Sequence, residues 1–197
     1  MFTHRLSFPT VDNDIASKIS LLPANTDWDS GRNVVKDEIK PAIIRALREN
    51  QLNECAYCEL DIRPDDHEVD HIAEKSDYPM ESFNLHNLVL SCHRCNGPRC
   101  KHDKNTVINN INNYDSWTFN IVHPYLDDPK DYYDYSRIKT IIHIKSGLTN
   151  QQYNKADNNL KIFKLNSAEM IEERKKNRIR KASKYLSRIL NISSYKK

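Results

Sequence analysis

No apolar run in the 197 residues approaches the roughly 18 to 20 that a membrane span requires. The opening Met-Phe-Thr-His-Arg-Leu lacks the basic-then-apolar layout of a signal peptide, so the expected compartment is the cytoplasm and no membrane is expected as a partner. Aromatics at 9% are too many for an unstructured chain, although 29% charged against 38% hydrophobic residues is polar for a globular one. The length suits one domain, or a small core with helical additions, that buries its core without needing disulfides.

Acidic residues are scarce at one end. Residues 172–197 hold ten Lys/Arg against Glu172 and Glu173, a balance of +8, while residues 1–171 carry 20 basic and 25 acidic groups, or −5. The net +3 conceals this asymmetry. A basic segment suits a polyanion such as nucleic acid, or an acidic partner surface; a solvated helix face is the plainer reading.

Cysteine is the first sharp signal. Four of the five form two pairs of identical spacing, Cys55-Ala-Tyr-Cys58 and Cys92-His-Arg-Cys95, with 33 residues between them. A two-residue gap lets both thiolates of a knuckle face one ion, and two knuckles close a tetrahedral four-sulfur shell, the usual form of structural Zn²⁺. Two disulfides are disfavoured in a reducing cytoplasm, and a redox dithiol does not account for the second pair. A closed four-cysteine site leaves no open position, so this zinc holds the fold and does no chemistry. Cys100 is left as a bystander thiol.

Between the knuckles, β-like runs near 68–72 and 87–91 flank a turn-rich polar loop and lead to a segment that can begin a helix at Ser91. Gly97-Pro98 shortens or kinks that helix. The pattern is a zinc-stapled ββα unit. Asp70-His71, Asn87 and Asn96, set between and beside the Cys-x-x-Cys pairs, resemble the signature of HNH nucleases over about residues 53–105. The resemblance implies His71 as general base, Asp70 and Asn96 as ligands of a catalytic divalent metal, and Asn87 as the residue that steadies the loop and orients His71.

The chemistry suits those types. A phosphodiester repels an incoming nucleophile, so its hydrolysis needs a proton acceptor for water and positive charge for the departing oxygen. A neutral imidazole can serve as the first, and Mg²⁺ or Mn²⁺ on one carboxylate, one amide oxygen and waters can supply the second. Ligand softness would separate the two metals. Arg94, Arg99, Lys101, His102 and Lys104 are candidate contacts to the substrate backbone, while His67, His86 and His93 are expected to face solvent.

The flanks add helices. Val35, Ile39, Ile43 or Ile44 and Leu47 recur at near-helical spacing up to Gln51, with Pro41 marking a start or a kink. Tyr135 to Ile144, with Ile138, Ile142 and Ile144, reads as one strand. A helix through Ala156, Leu160 and Phe163 follows, then another from Asn166 or Ser167 with Glu169 placed for a capping box on Asn166. The latter's apolar stripe, Ile179, Ala182, Leu186 and Ile189, leaves Arg174 and its basic neighbours outside it.

With Cys55-Ala-Tyr-Cys58-Glu59, the Pro-Tyr-x-Asp-Asp-Pro segment at 124–129 and the stretch from Ala156 to Arg174, the chain resembles nuclease subunits of the Septu anti-phage defence systems. That resemblance implies an ATPase partner subunit, related to chromosome-maintenance and transporter ATPases. The expected protein is α+β: an N-terminal helical extension over 1–52, a zinc-stapled ββα-metal HNH core over 53–112, and a C-terminal strand with helices and a basic tail over 113–197. It is expected to act on nucleic acid, DNA before RNA. A stand-alone HNH restriction-type enzyme, or a non-catalytic zinc-ribbon module that binds nucleic acid, are the competing readings; the second has no chemical reason to assemble Asp70, His71 and Asn96.

Overall fold

The computed structural model describes residues 4–63, 66–134 and 140–194. Helix α1 (Asn13–Ser20) is capped by the Asp12 carboxylate, which accepts the Ile15 N–H at 2.9 Å. The expected helix before the first knuckle forms in two windings. Val34–Ile39 is a π-helical turn that passes into α2 (Lys40–Asn50). Pro41 has no N–H for the helical ladder, and just before it the Lys40 N–H reaches back five residues to the Val35 carbonyl. Val35, Ile39, Ile43 and Leu47 are fully buried at four-residue intervals; Ile43 rather than Ile44 takes the inward position. Each contributes about 1.5–3 kcal/mol by leaving water.

Strands β1 (His67–His71) and β2 (Leu88–Cys92) pair antiparallel, Val69 opposite Leu90 and His71 opposite Leu88, within one residue of the expected runs. A lone two-stranded ribbon is marginal in water. Here α2 and the first knuckle complete it. The Gln51 carboxamide, just past α2, accepts the Leu90 N–H at 2.8 Å and donates to the Leu90 carbonyl at 2.9 Å, and the Ala56 N–H adds a further bond to that carbonyl. Helix α3 (His93–Asn96) starts two residues later than expected, because Ser91 and Cys92 are still in the strand, and it is one turn long. Gly97 ends it: a Cβ there would lie 2.6 Å from the His93 carbonyl oxygen, so only glycine permits the approach.

The C-terminal part departs most from expectation. Short ribbons form from β3 (Val107–Asn109) with β4 (Thr118–Phe119) and from β5 (Tyr133–Asp134) with β6 (His143–Ile144); of the strand expected over Tyr135–Ile144, only His143 and Ile144 are strand among the described residues. Residues 135–139, Ile138 among them, lie outside the described residues. Helix α4 (Asn150–Ile162) carries a capping box of Thr149 and Gln152. Helix α5 (Ala168–Ser194) carries none on Asn166. Ser167 Oγ accepts the Met170 N–H, Asn166 instead clamps both backbone groups of Ile142, and Glu169 pairs with Arg94. Its first turns dock through Met170, Arg174 and Asn177, so Arg174 is buried although the sequence placed it outside the apolar stripe; Ile179, Leu186 and Ile189 are exposed. Among the described residues no helix is long and apolar enough to cross a membrane.

Candidate active site and metal centre

The sulfur atoms of Cys55, Cys58, Cys92 and Cys95 all lie within 4.8 Å of one another. A tetrahedral shell with Zn–S near 2.3 Å has edges of about 3.8 Å. The Cys58–Cys92 separation is 3.9 Å, close to that edge and about twice the ~2.05 Å of a disulfide. Hydrogen bonding with Cys55 and the other thiols holds Cys92 well below the ordinary thiol range and raises Cys58 and Cys95 above it. A dication among the four sulfurs would favour their ionised forms. Donor type, count and spacing fit zinc. Cys100 is buried outside this cluster, and burial keeps its thiol protonated.

The first knuckle also reaches the second site. Tyr57, between Cys55 and Cys58, is fully buried, stacks on Phe163 at 4.0 Å and donates its hydroxyl to Asp70 Oδ2. Asp70 Oδ1 accepts from Lys101 Nζ at 3.0 Å, and the same ammonium donates to the His71 carbonyl at 2.6 Å. Lys101 is therefore corrected: expected at the substrate backbone, it is fully buried as the counter-ion of the Asp70 carboxylate. Burial raises the Asp70 carboxyl above the usual range, and Lys101 opposes that rise.

Asp70, His71 and Asn96 line one open cleft of about 430 Å³, together with Trp28, Asp29, Glu68, Glu74, Lys75 and His102. His71, the last residue of β1, is 4% exposed, with Trp28 edge-on at 5.2 Å. Burial pushes its pKa down to about 4, so the ring is neutral at pH 7. Its Nε2 lies 3.1 Å from the Ser82 carbonyl, which only accepts, so Nε2 carries the proton and Nδ1 has the lone pair. Asn96 Nδ2 donates to Glu68 Oε2 at 2.8 Å, which fixes the amide's orientation.

Asn87 lies beneath this cleft rather than in it. Fully buried, it accepts the Ala73 N–H at 2.7 Å and donates to the carbonyls of Ala73 and Glu81, both at 3.1 Å, pinching the base of loop 73–81. Of the remaining candidates, Arg94 is tied to Glu169 at 2.8 Å and to the Met170 sulfur, and Lys104 donates to the Cys100 carbonyl. Arg99 is exposed, and His102 is exposed at the cleft with φ 46°. His67 and His86 are half-buried rather than solvent-facing, His67 against Arg48 and His86 against Phe8 and Asp115; His93 is exposed and pairs with Glu68. Sequence reasoning missed Tyr57, Trp28 and Glu68. The position of Tyr57 inside a knuckle was the one signal that could have found it.

Residues 55–104 match the family model described as HNH endonuclease. This segment is an HNH endonuclease domain. Over 74 residues, 36% of this chain, the protein is 45% identical to Septu protein PtuB of Bacillus thuringiensis. The aligned part spans 29% of that relative's length. The HNH domain thus holds all four clustered cysteines and Asp70, His71, Asn87 and Asn96, while Trp28 reaches its cleft from outside the matched segment.

Proposed function

We propose that this protein is a metal-dependent endonuclease that hydrolyses nucleic-acid phosphodiester bonds, with DNA as its substrate. The observation that carries this reading is a neutral, buried His71 whose tautomer is set by Ser82, in one cleft with Asp70 and Asn96. Each carboxylate oxygen of Asp70 has one donor already and a second lone pair to offer, and the Asn96 amide has an oxygen to offer. The Asp70 carboxylate and the Asn96 amide oxygen, in a cleft also lined by the carboxylates of Asp29, Glu68, Glu74 and Asp103, fit Mg²⁺ or Mn²⁺, which keep several waters. That ion would be held by Asp70 and Asn96 and would neutralise the charge building on the phosphate and the leaving oxygen. His71 Nδ1 accepts the proton of the attacking water, and Ser82 stabilises the imidazolium by keeping its Nε2–H hydrogen bond. Asn87 keeps the loop that carries Ser82 in place. Zinc held by Cys55, Cys58, Cys92 and Cys95 would tie the two knuckles together and, through Tyr57, steady the Asp70 carboxylate.

The likeness to a Septu protein supports a place in anti-phage defence, with an ATPase as partner subunit and the cytoplasm as compartment. The exposed Arg99 and His102, the latter beside the Asp103 carboxylate at 2.8 Å, are the remaining candidate backbone contacts. A supercoiled-plasmid assay with Mg²⁺ or Mn²⁺, repeated with the ATPase added and with an RNA substrate, tests the reading. Cleavage should require the metal and fall about 10²–10⁴-fold in His71→Ala, with zinc content and fold retained. Full activity in that variant would overturn the mechanism.

A further inference from the structure

One motif outside the matched domain has no part in the chemistry so far: His123-Pro124-Tyr125-Leu126-Asp127-Asp128-Pro129. Its first residue is fully buried and its ring neutral, since burial holds the imidazole far below its ordinary pKa. Nδ1 lies 3.2 Å from the backbone N–H groups of both Tyr125 and Leu126. Both are donors, so Nδ1 is the acceptor and the ring proton sits on Nε2. Nε2 is 3.2 Å from Tyr114 Oη, and that hydroxyl, receiving the imidazole proton, turns its own hydrogen to Asn87 Oδ1 at 2.8 Å.

The donors therefore run in one direction, from His123 through Tyr114 to Asn87. With the Ala73 N–H as its second donor, Asn87 Oδ1 is fully used, and its NH₂ is forced toward the carbonyls of Ala73 and Glu81. Glu81 is next to Ser82, whose carbonyl holds the His71 ring. The far side is anchored as well. Asp127 accepts the His123 backbone N–H at 2.7 Å and the Tyr132 hydroxyl at 2.8 Å, and pairs with Lys155 at 2.6 Å.

We propose that Tyr114 and His123 are positioning residues of the nuclease: they fix the orientation of the Asn87 carboxamide, and through it the loop that sets the His71 tautomer. This rests on the nuclease reading of the cleft. A further consequence is that the 55–104 segment is incomplete without the chain as far as Asp127.

The test is Tyr114→Phe in the full chain, which keeps the ring and removes only the O–H. Expected are a kcat at least tenfold lower with KM for plasmid DNA within twofold of wild type, and faster amide exchange across 72–82, where Asn87 protects the Ala73 N–H. A merely structural role would lower the melting temperature while leaving both kcat and the exchange of 72–82 unchanged, and that result overturns the proposal. Should wild type cut neither DNA nor RNA with any divalent metal or with the ATPase, the nuclease reading fails on its own, and the exchange of 72–82 decides whether Tyr114 positions the loop.

Discussion

The four-sulfur cluster and the cleft proposed to hold a second ion are built on opposite principles. The sulfur cluster takes four ligands from two short knuckles, each pair a local Cys-x-x-Cys turn, and the Ala56–Leu90 bond joins one knuckle to the strand that leads into the other. In the cleft, the proposed ligands are the Asp70 carboxylate and the Asn96 amide, and nearly every feature that makes them useful comes from residues far away in sequence. Tyr57 and Lys101 hold Asp70, Glu68 turns Asn96, Ser82 sets His71, and Trp28 shields it. A closed structural ion site needs ligand number, whereas a reactive site needs sparse ligation and exact orientation, so it borrows rigidity from around it. Tyr57 joins the two, its backbone inside a knuckle and its hydroxyl on Asp70.

The contrast predicts unequal damage. Cys58→Ser removes a ligand on which folding of both knuckles depends, and since structural zinc supplies folding energy of about 10 kcal/mol in small domains, the expected outcome is loss of zinc, of the ribbon and of cleavage together. Circular dichroism and metal content check it. A folded, zinc-free Cys58→Ser protein would break the comparison by showing that the sulfur cluster is dispensable.

Lys101→Met should cost less but still a large share of a domain's stability, about 3 kcal/mol, because it leaves Asp70 buried without its cation. The midpoint of a denaturant titration reads this directly. The double variant Asp70→Asn with Lys101→Met should recover much of the loss, since no unpaired charge then remains. If the single variant is as stable as wild type, Lys101 is a surface cation after all, and the cleft is less supported than its hydrogen bonds indicate.

What the sequence made legible follows the same division. Cys-x-x-Cys spacing is a local signal, and so are the two ribbon runs, whose ends were placed to within a residue. Asp70 and His71 were legible because they are adjacent in a recognisable frame. Lys101 was misread because a lysine among basic residues after a knuckle looks like surface charge, and its burial is decided by packing from elements more than 25 residues away. Strands of two residues, as in β5 and β6, carry no periodicity to read. The capping role expected of Glu169 and Asn166 went to Ser167 because both had stronger tertiary partners in Arg94 and Ile142. Local chemistry sets what a residue can do, and packing sets which option it takes.

The smallest effect concerns acid, and it probes the support of the cleft rather than either set of ligands. His123 is neutral in the fold with its pKa far below 6.5, first through burial and then through the Lys155 charge. The unfolded chain binds a proton there as pH falls through about 6.5, and the folded chain does not. This contribution is therefore fully present above pH 6.5 and is lost progressively below it, at up to about 1.4 kcal/mol per pH unit. Unfolding free energies at pH 7, 6 and 5 should fall less steeply in His123→Gln than in wild type, by roughly 1 kcal/mol per unit between pH 6 and 5. Because both proteins keep all five cysteines, the difference in slope isolates the imidazole. Equal slopes would mean that His123 takes up a proton without unfolding, and the one-directional chain from His123 to Asn87 could then not set the loop.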